Sequence, residues 1–398
     1  MLPNIFQKSK DKDKANKSDD VLFLDITPKT IKTIYTTPGE NKLIVKGVSV
    51  FEDKPGYEGN ILQEGIEEAF TQADARTENA IVGVSGSSVF GFLLILEVKR
   101  EKSQSRITNS EMAKIYDKIE GFALKQAQSY RDAIFAEEYD LVNLDLVITK
   151  NLLDGQEYAD LVDRQGEYIQ VHVFASYAEA GFHASLKAEL TQLKINPLAI
   201  TTTVYTQVKL LSSLSKNFIL VDVGKSYTDV AIIFGGDIIQ TRSFGIAGDY
   251  FSQHLTDELG ILPKEANGKK EAFSEGTLSP SDTDTIGDYL YEAGKDWRLS
   301  LVAVLESISG IKALPKKIYL SGGSGDLSVL EELLYEEDWK SSLPFAGEIE
   351  IERADLSLLD KYLIDDLKIL KELRMFAPAS LSIVYKEITK DDEEEISN

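Results

Sequence analysis

Two similar stretches, Val21-Leu22-Phe23-Leu24-Asp25-Ile26 and Phe218-Ile219-Leu220-Val221-Asp222-Val223, decide the fold of this chain. Each is a short apolar run interrupted near its end by one aspartate, a pattern typical of a buried strand. Each is followed by a turn and a second run of strand composition, at 30–35 and 228–234. The two aspartates are separated by about half of the chain, so the sequence predicts an internal duplication of one supersecondary unit.

Composition excludes several classes of function. The 398 residues contain no cysteine, which rules out disulfides, cysteine-ligated metals and a cysteine nucleophile. The three histidines are widely spaced, and we assign neither His172 nor His254 a ligand role. The formal net charge of −23 argues against nucleic acid as a partner, because phosphates need a basic surface. The 43% hydrophobic content is enough for a folded core.

Further elements surround the first of these stretches. Hydrophobic spacing predicts helices over 57–74, 110–128 and 177–193. Strand composition recurs at 43–51, 80–84, 92–99, 141–149 and 168–174. The order strand, helix, strand, strand between 92 and 174 predicts a small α+β unit inserted in a larger fold.

The second half contains a polar segment at 263–296, which predicts a surface-exposed subdomain or loop region. A helix is predicted from 297 to 308, and an apolar strand at 318–321 runs into Gly322-Gly323. Helical patterns follow at about 327–335 and at 375–384. Strands and helices therefore alternate through both halves, which indicates an α/β fold.

The turns after the aspartate-containing strands carry the predicted chemistry. Two such hairpins facing each other would form a phosphate clamp, in which backbone N–H groups bind phosphate and Asp25 and Asp222 hold hydrated Mg²⁺. A third turn, Gly322-Gly323-Ser324, would pack its bare backbone against a base. The alternative is that both aspartates only stabilise turns and that Gly322-Gly323 is an ordinary strand-to-helix turn.

Five segments resemble the actin-like ATPase superfamily: LFLDI at 22–26, AIVGVSGSSV at 80–89, ILVDVGKSYTDVAII at 219–233, FGIAGDYFSQHL at 244–255 and KIYLSGGSGDLSVLEELL at 317–334. Within that superfamily the chain resembles the branch of the cell-division protein FtsA and the pilus assembly protein PilM. The stretch at 80–89 is similar to the segment that precedes this branch's inserted subdomain. LLDGQEY at 152–158 resembles a loop of FtsA.

This resemblance implies a two-lobed actin-like fold, also called ribonuclease-H-like, with an inserted strand-helix-strand-strand subdomain. It divides the chain into an arm at 1–20, lobe 1 at 21–92, the insertion at 93–175, a return to lobe 1 at 176–215, lobe 2 at 216–374, a helix at 375–388 returning to lobe 1, and an acidic tail at 389–398. It also implies ATP and Mg²⁺ as cofactors. The implied binding residues are Asp25, Thr27, Lys29, Asp222, Gly224, Lys225, Ser226, Thr228, Gly248, Lys270, Gly322, Gly323 and Ser324.

The phosphate turns depart from the family pattern. Thr27 replaces a glycine, and Pro28 has no N–H group to offer a phosphate. The second turn keeps Gly224 alone of three glycines, although Lys29 and Lys225 supply positive charge. Asn267 stands approximately where the family has a ribose-contacting glutamate. Two possibilities stay open: a nucleotide binder with slow or no hydrolysis, and a fold that has lost nucleotide binding.

The resemblance implies a cell-division adaptor that self-associates into protofilaments and links filaments of the tubulin homologue FtsZ to the membrane or to other division proteins. The alternative is a PilM-like cytoplasmic scaffold of type IV pilus assembly. A third class, a sugar or acetate kinase, ranks lower because the phosphate turns are eroded.

The two ends of the chain provide evidence about its location in the cell. The sequence contains neither a signal-peptide core nor an apolar run of membrane-spanning length, so we expect a cytoplasmic protein. The arm MLPNIFQKSKDKDK at 1–14 combines apolar and basic residues, which suggests peripheral contact with the inner face of the membrane. The alternative for this arm is a frayed terminus. The tail DDEEEISN would be repelled by an anionic surface.

Overall fold

The computed structural model describes residues 20–53, 59–134, 139–308 and 311–397. The amino-terminal arm, predicted to contact the membrane, lies outside the described residues. Within the described part, no helix combines the length and apolar character that crossing a bilayer requires.

The first sheet has six strands built around β1 (Val21–Thr27). In spatial order they are β15 (Leu363–Ile364), β3 (Leu43–Glu52), β2 (Thr30–Pro38), β1, β4 (Asn79–Val84) and β9 (Asn196–Thr202). Strand β1 pairs antiparallel with β2 and parallel with β4.

The second sheet repeats this arrangement around β10 (Phe218–Val223). Its nine strands, in spatial order, are β14 (Glu350–Arg353), β13 (Lys317–Ser321), β10, β11 (Thr228–Phe234), β12 (Asp237–Phe244), β5 (Val89–Lys99), β8 (Tyr168–Glu179), β6 (Leu141–Leu153) and β7 (Gln156–Tyr158). Strand β10 pairs antiparallel with β11 and parallel with β13. The predicted duplication is confirmed, because both aspartate-containing strands have the same neighbours in the same directions.

The helices are α1 (Ile61–Ala73), α2 (Asn109–Ile134), α3 (Ala180–Gln192), α4 (Thr203–Leu211), α5 (Gly248–Leu259), α6 (Pro263–Ser274), α7 (Pro280–Ser307), α8 (Ser328–Tyr335), α9 (Phe376–Ser380) and α10 (Ser382–Ser397). Short 3₁₀ turns lie at Lys340–Ser342, Leu356–Lys361 and Leu373–Met375. Helices cover both faces of each central strand pair, which explains why the central strands are apolar on both faces.

Strand alternation determines which way the two aspartates point. Val21 and Phe23 belong to the same core cluster as Phe218 and Leu220, whereas the residues between them pack on the outer faces of the two sheets. Because side chains alternate along a strand, Asp25 shares the inward face of Val21 and Phe23. Asp222 shares the inward face of Phe218 and Leu220 in the same way. Both carboxylates therefore point toward the space between the lobes.

The inserted subdomain consists of β5, α2, β6, β7 and β8, and its own core lies beneath α2. It extends the sheet of lobe 2, since β5 pairs antiparallel with β12 at Gln240–Phe92 and Thr241–Gly91. Asp237, at the start of β12, accepts hydrogen bonds at 2.7 Å each from Thr149 Oγ1 and Lys150 Nζ of β6. The insertion is therefore joined to lobe 2 by a short strand pairing and a buried carboxylate.

The structure corrects three predicted elements. The helix predicted over 177–193 begins at Ala180, because Tyr177–Glu179 complete β8. The segment 263–296 is helical rather than a loop region: Pro263 and Pro280 open α6 and α7, and the scattered apolar residues of α7 pack on the core of lobe 2. The acidic tail predicted at 389–398 continues α10 as far as Ser397.

Candidate functional site

The first predicted phosphate turn is closed on itself. The antiparallel pairing of β1 with β2 ends where Thr27 lies opposite Thr30, which leaves Pro28 and Lys29 as a two-residue turn. Thr27 Oγ1 accepts a hydrogen bond from the Thr30 N–H at 3.0 Å and donates to the Thr30 carbonyl at 3.1 Å. Since Pro28 has no N–H, this turn offers a ligand fewer backbone donors than a glycine turn would.

The second turn, residues 224–227, rests on the beginning of α5. The Gly248 N–H donates to the Gly224 carbonyl at 3.1 Å, and the Asp249 N–H donates to the Lys225 carbonyl at 2.6 Å. Ser226 Oγ donates to Asp249 Oδ2 at 2.8 Å. These bonds fix the turn against lobe 2 and use the first N–H groups of α5 within the protein.

The third turn follows β13 and lies beside the second. The Ser324 N–H donates to the Val223 carbonyl at 2.9 Å, and Ser324 Oγ donates to the Gly224 carbonyl at 3.1 Å. Gly322 has a φ of +83°, and a side chain there would overlap the Asp222 carboxylate. Glycine is required at 322 for both reasons.

Asp25 and Lys32 form a buried ion pair between these turns, with Lys32 Nζ 2.7 Å from Asp25 Oδ2. Burial would lower the pKa of Lys32, but the carboxylates of Asp25 and Asp222 outweigh it and raise the pKa. Asp25 Oδ1 is buried without a hydrogen-bond partner. The amino group therefore neutralises the carboxylate that was predicted to hold a metal.

Asp222 and Asp229 are opposite each other in the β10–β11 hairpin. Asp222 Oδ2 accepts a hydrogen bond from Gln207 Nε2 of α4 at 2.6 Å, and burial raises the pKa of Asp222. Asp229 accepts from the Gly86 N–H at 3.2 Å and from Ser243 Oγ. Burial and the charge of Asp222 raise the pKa of Asp229 to about 7.

We tested whether Mg²⁺ fits among these carboxylates. The pocket lined by Asp25, Lys32, Asp222 and Asp229 has a volume of about 20 Å³, roughly the space of one water molecule. Mg²⁺ keeps several of its waters when carboxylates bind it. Across the described residues, no group of three or more acidic or histidine side chains is placed to hold a metal ion. The geometry does not fit the magnesium role predicted for Asp25 and Asp222.

A larger cavity of about 480 Å³ opens from this pocket, between the lobes. That volume lies within the range of small-molecule sites. The predicted binding residues that line it are Thr27, Gly224, Lys225, Lys270, Gly323 and Ser324, and Asn267 lines it too. Lys270 Nζ donates to the Gly248 carbonyl at 2.9 Å, and burial, followed by the charge of Lys225, lowers the pKa of Lys270 to about 8.

The other predicted binding residues do not line the large cavity: Asp25, Asp222 and Ser226 line only the small pocket, and Lys29, Thr228, Gly248 and Gly322 line neither space. Thr228 is buried: its Oγ1 donates to the Ile246 carbonyl at 2.7 Å and accepts from Trp297 Nε1 at 3.1 Å. Lys29 is half exposed and pairs with Asp249 at 3.3 Å. Gly248 lies behind the second turn, where a side chain would meet Ser324 Oγ. These residues support the turns.

Two ion pairs among the described residues join the lobes, one of them on the wall of the cavity. Lys225 of lobe 2 lies 2.7 Å from Glu52 Oε2, at the end of β3 in lobe 1. The Lys29–Asp249 pair also crosses between the lobes, from the first turn to α5. The lobes are therefore held together by the protein's own charges on this side.

Sequence reasoning missed Lys32, Asp229 and Gln207. For Lys32 a signal exists: a two-residue turn at Pro28-Lys29 sets Lys32 directly opposite Asp25 in an antiparallel hairpin. Asp229 stands opposite Asp222 by the same logic, given a turn at 224–227. Gln207 of α4 donates a hydrogen bond to Asp222, and no local sequence pattern predicts that contact.

No family model matches the sequence, and neither does any curated protein. Among solved structures, the chain is similar to the PilM–PilN type IV pilus biogenesis complex, with 16% identity over 91% of this chain and 97% of that chain and a TM-score of 0.63. Weaker likenesses are to MreB5 of Spiroplasma citri bound to AMPPNP, with 12% identity over 94% and 98% of the two chains and a TM-score of 0.49, and to the ethanolamine utilization protein EutJ from Carboxydothermus hydrogenoformans, with 12% identity over 91% and 89% and a TM-score of 0.46.

The comparison of folds rests on the likeness to the PilM–PilN complex, since it spans nearly all of both chains. At 16% identity, this likeness shows the fold alone. It does not establish a role in cell division or in pilus assembly. The chain has the two-lobed actin-like ATPase fold that the resemblance of its five sequence segments implies.

Proposed function

We propose that this protein is an actin-fold assembly scaffold that binds an adenine nucleotide between its lobes and turns it over slowly or not at all. The observation that carries the proposal is the cavity of about 480 Å³, which the three turns and the lysines Lys32, Lys225 and Lys270 line together. Backbone turns and ammonium groups suit phosphate oxygens, and the bare backbone at Gly323 suits a flat base.

The eroded turns argue for binding without rapid hydrolysis. Phosphoryl transfer depends on fixed donors and on a metal that neutralises developing charge. Here the first turn is closed by Thr27, and Lys32 occupies the carboxylate that would face a metal. A nucleotide in this cavity would act by holding the lobes together, in addition to the ion pairs that already cross between them.

For the biological role we propose a cytoplasmic scaffold of type IV pilus assembly, of the PilM kind. The nearly full-length likeness in fold to the PilM–PilN complex supports this choice. A partner protein, rather than a small substrate, would then be the functional ligand of the chain. Self-association through the lobes is part of the same proposal.

An FtsA-like division adaptor, with an FtsZ-like protein as partner, is the second candidate. The loop at 152–158, similar in sequence to an FtsA loop, contains the tip of the β6–β7 hairpin of the insertion, where residues 154–157 are exposed. Asp154 and Gly155 both have positive φ, as a tight hairpin turn requires. That tip is an accessible site for a partner, and the amino-terminal arm would supply peripheral membrane contact.

Nucleotide binding is tested by thermal unfolding with millimolar ATP. We expect stabilisation, because a ligand that binds the folded state raises the unfolding temperature. Lys225→Met should reduce this shift, since Lys225 lines the cavity. Lys264→Met on the exposed side of α6 is the matched control and should keep the full shift. No shift in the unaltered protein at millimolar ATP would contradict the proposal and favour a fold that has lost nucleotide binding.

The two candidate biological roles can be distinguished by the proteins that bind this chain. Co-sedimentation with FtsZ filaments and septal localisation of a tagged protein would support the division adaptor. Localisation with pilus assembly proteins and capture of their membrane subunits would support the pilus scaffold. Steady-state phosphorylation of a sugar or of acetate would contradict both and identify a kinase.

A further inference from the structure

The carboxylate pocket contains its own cation. Lys32 is 9% exposed, and its amino group is set opposite Asp25 by the register of the hairpin. It lines both the small carboxylate pocket and the larger cavity, so its charge lies where the two spaces join. The sequence predicts a phosphate-bound Mg²⁺ beside Asp25 and Asp222, which line the small pocket.

Charge balance shows what Lys32 does there. Asp25, Asp222 and Asp229 are each at most 7% exposed, and those that are ionised would repel an approaching phosphate. One cation among them removes part of that repulsion, and Lys32 supplies it from within the chain. A hydrated Mg²⁺ needs more room than the pocket of about 20 Å³ provides.

We propose that Lys32 takes the place of the divalent metal, so that the cavity binds the phosphates of a nucleotide in their metal-free form. The inference rests on the nucleotide binding proposed above. Among the described residues, the wall of the larger cavity carries five basic side chains, which balance its five acidic ones before any phosphate enters: Lys32, Lys225, Lys270, Arg353 and Arg374 against Glu52, Glu271, Glu275, Asp326 and Glu372. The ligand class is a nucleoside polyphosphate without bound Mg²⁺.

The experiment measures ATP binding to the full chain by calorimetry, once with millimolar MgCl₂ and once with excess EDTA. We expect ATP to bind at least as tightly in EDTA as in MgCl₂, because Mg²⁺ complexes ATP in solution and competes with the cavity for its phosphates. A loss of about tenfold or more in EDTA would overturn the inference while leaving nucleotide binding in place. Absence of binding in both buffers would overturn the proposed function as well, so the two failures are distinguishable.

Lys32→Met gives the second arm of the experiment. Without the ammonium group, we expect ATP binding in EDTA to weaken by about tenfold. Unchanged binding of ATP to this variant in EDTA would overturn the inference. Lys46→Met, at an exposed position of the neighbouring strand β3, is the matched control and should bind ATP like the unaltered protein.

A third measurement does not depend on whether Lys32→Met folds. Mn²⁺ bound to a protein–ATP complex is detected by its electron paramagnetic resonance spectrum. The unaltered protein saturated with ATP should show no more bound Mn²⁺ than ATP alone at the same concentration. A protein-dependent Mn²⁺ signal with ATP present would overturn the inference.

Discussion

Lys32 Nζ lies 2.7 Å from Asp25 Oδ2, and the two residues are directly opposite each other in the β1–β2 hairpin. In the duplicated hairpin of lobe 2 the equivalent positions are Asp222 and Asp229, two acids. The duplication has therefore diverged at one pair: lobe 1 contributes an ion pair and lobe 2 an acid pair. Together they place one lysine among three buried carboxylates.

Removing Lys32 should cost stability. Lys32→Met leaves Asp25 buried without its cation, and losing one partner of a buried ion pair typically costs about 3–5 kcal/mol. Urea denaturation followed by circular dichroism measures this loss. The double variant Lys32→Met/Asp25→Asn should recover part of it, because no unpaired charge is left at 25. A double variant no more stable than the single one would contradict this account, and Lys46→Met serves as control.

ATP affinity should fall as pH rises through about 8. Burial lowers the pKa of Lys270 to about 8, and only the protonated amine attracts phosphate. The effect on stability has the opposite sign: between pH 8 and 10.5 the unfolded chain holds this proton more tightly, so stability rises with pH in that window. Binding measured at several pH values tests the prediction. Lys270→Gln should remove the dependence, and a dependence unchanged in that variant would contradict it.

Gly322→Ala should destabilise the chain far more than Gly276→Ala. Both glycines have positive φ, but an alanine methyl at 322 would overlap Asp222, whereas nothing lies near position 276. Gly276→Ala should lower the free energy of unfolding by about 1 kcal/mol, from backbone strain alone. Gly322→Ala should lower the free energy of unfolding by about 1–3 kcal/mol more, from overpacking, and should weaken ATP binding. Chemical denaturation of both variants makes the comparison, and equal losses would refute it.

Asp237 should control how firmly the insertion is joined to lobe 2. It accepts hydrogen bonds at 2.7 Å from Thr149, Lys150 and His172 Nδ1. Burial would raise the pKa of Asp237, but the hydrogen bonds from His172, Lys150 and Thr149 outweigh it and lower the pKa. Its contribution to stability is therefore present above its usual pKa and is lost as pH falls through the lower folded value.

Asp237→Ala should cost about 2–3 kcal/mol, the scale of hydrogen bonds to a buried charged group. Amide hydrogen exchange should quicken at the pairing of β5 with β12, which has two residue pairs in register. Asp284→Ala, at an exposed position of α7, is the control and should leave that exchange unchanged. Equal exchange in the two variants would show that the strand pairing alone holds the insertion.

Much of the fold could be predicted from sequence because it rests on short-range periodicity. The two apolar runs predict buried strands, and their repetition predicts matching sheets, both of which the structure confirms. The helices of the segment 263–296 were not predicted, because polar residues dilute the helical spacing of α7, and that spacing becomes clear only once Ile286 and Leu290 are seen packed on the core. The joining of β5 to β12 had no local signal, since it pairs residues from distant parts of the chain.

By itself, the sequence determined the two aspartate-containing strands and their duplication, because apolar runs and the turns that end them are local properties. The pairing of Asp25 with Lys32 also has a local cause, the two-residue turn at Pro28-Lys29, but it was recognised only in the structure. The tertiary structure alone decided that Lys32 faces Asp222 as well, that the Gly86 N–H reaches Asp229, and that Lys225 meets Glu52 across the lobes. The physical reason is that charges act through space, and only the packing of the two lobes brings these distant groups within a few ångströms of one another.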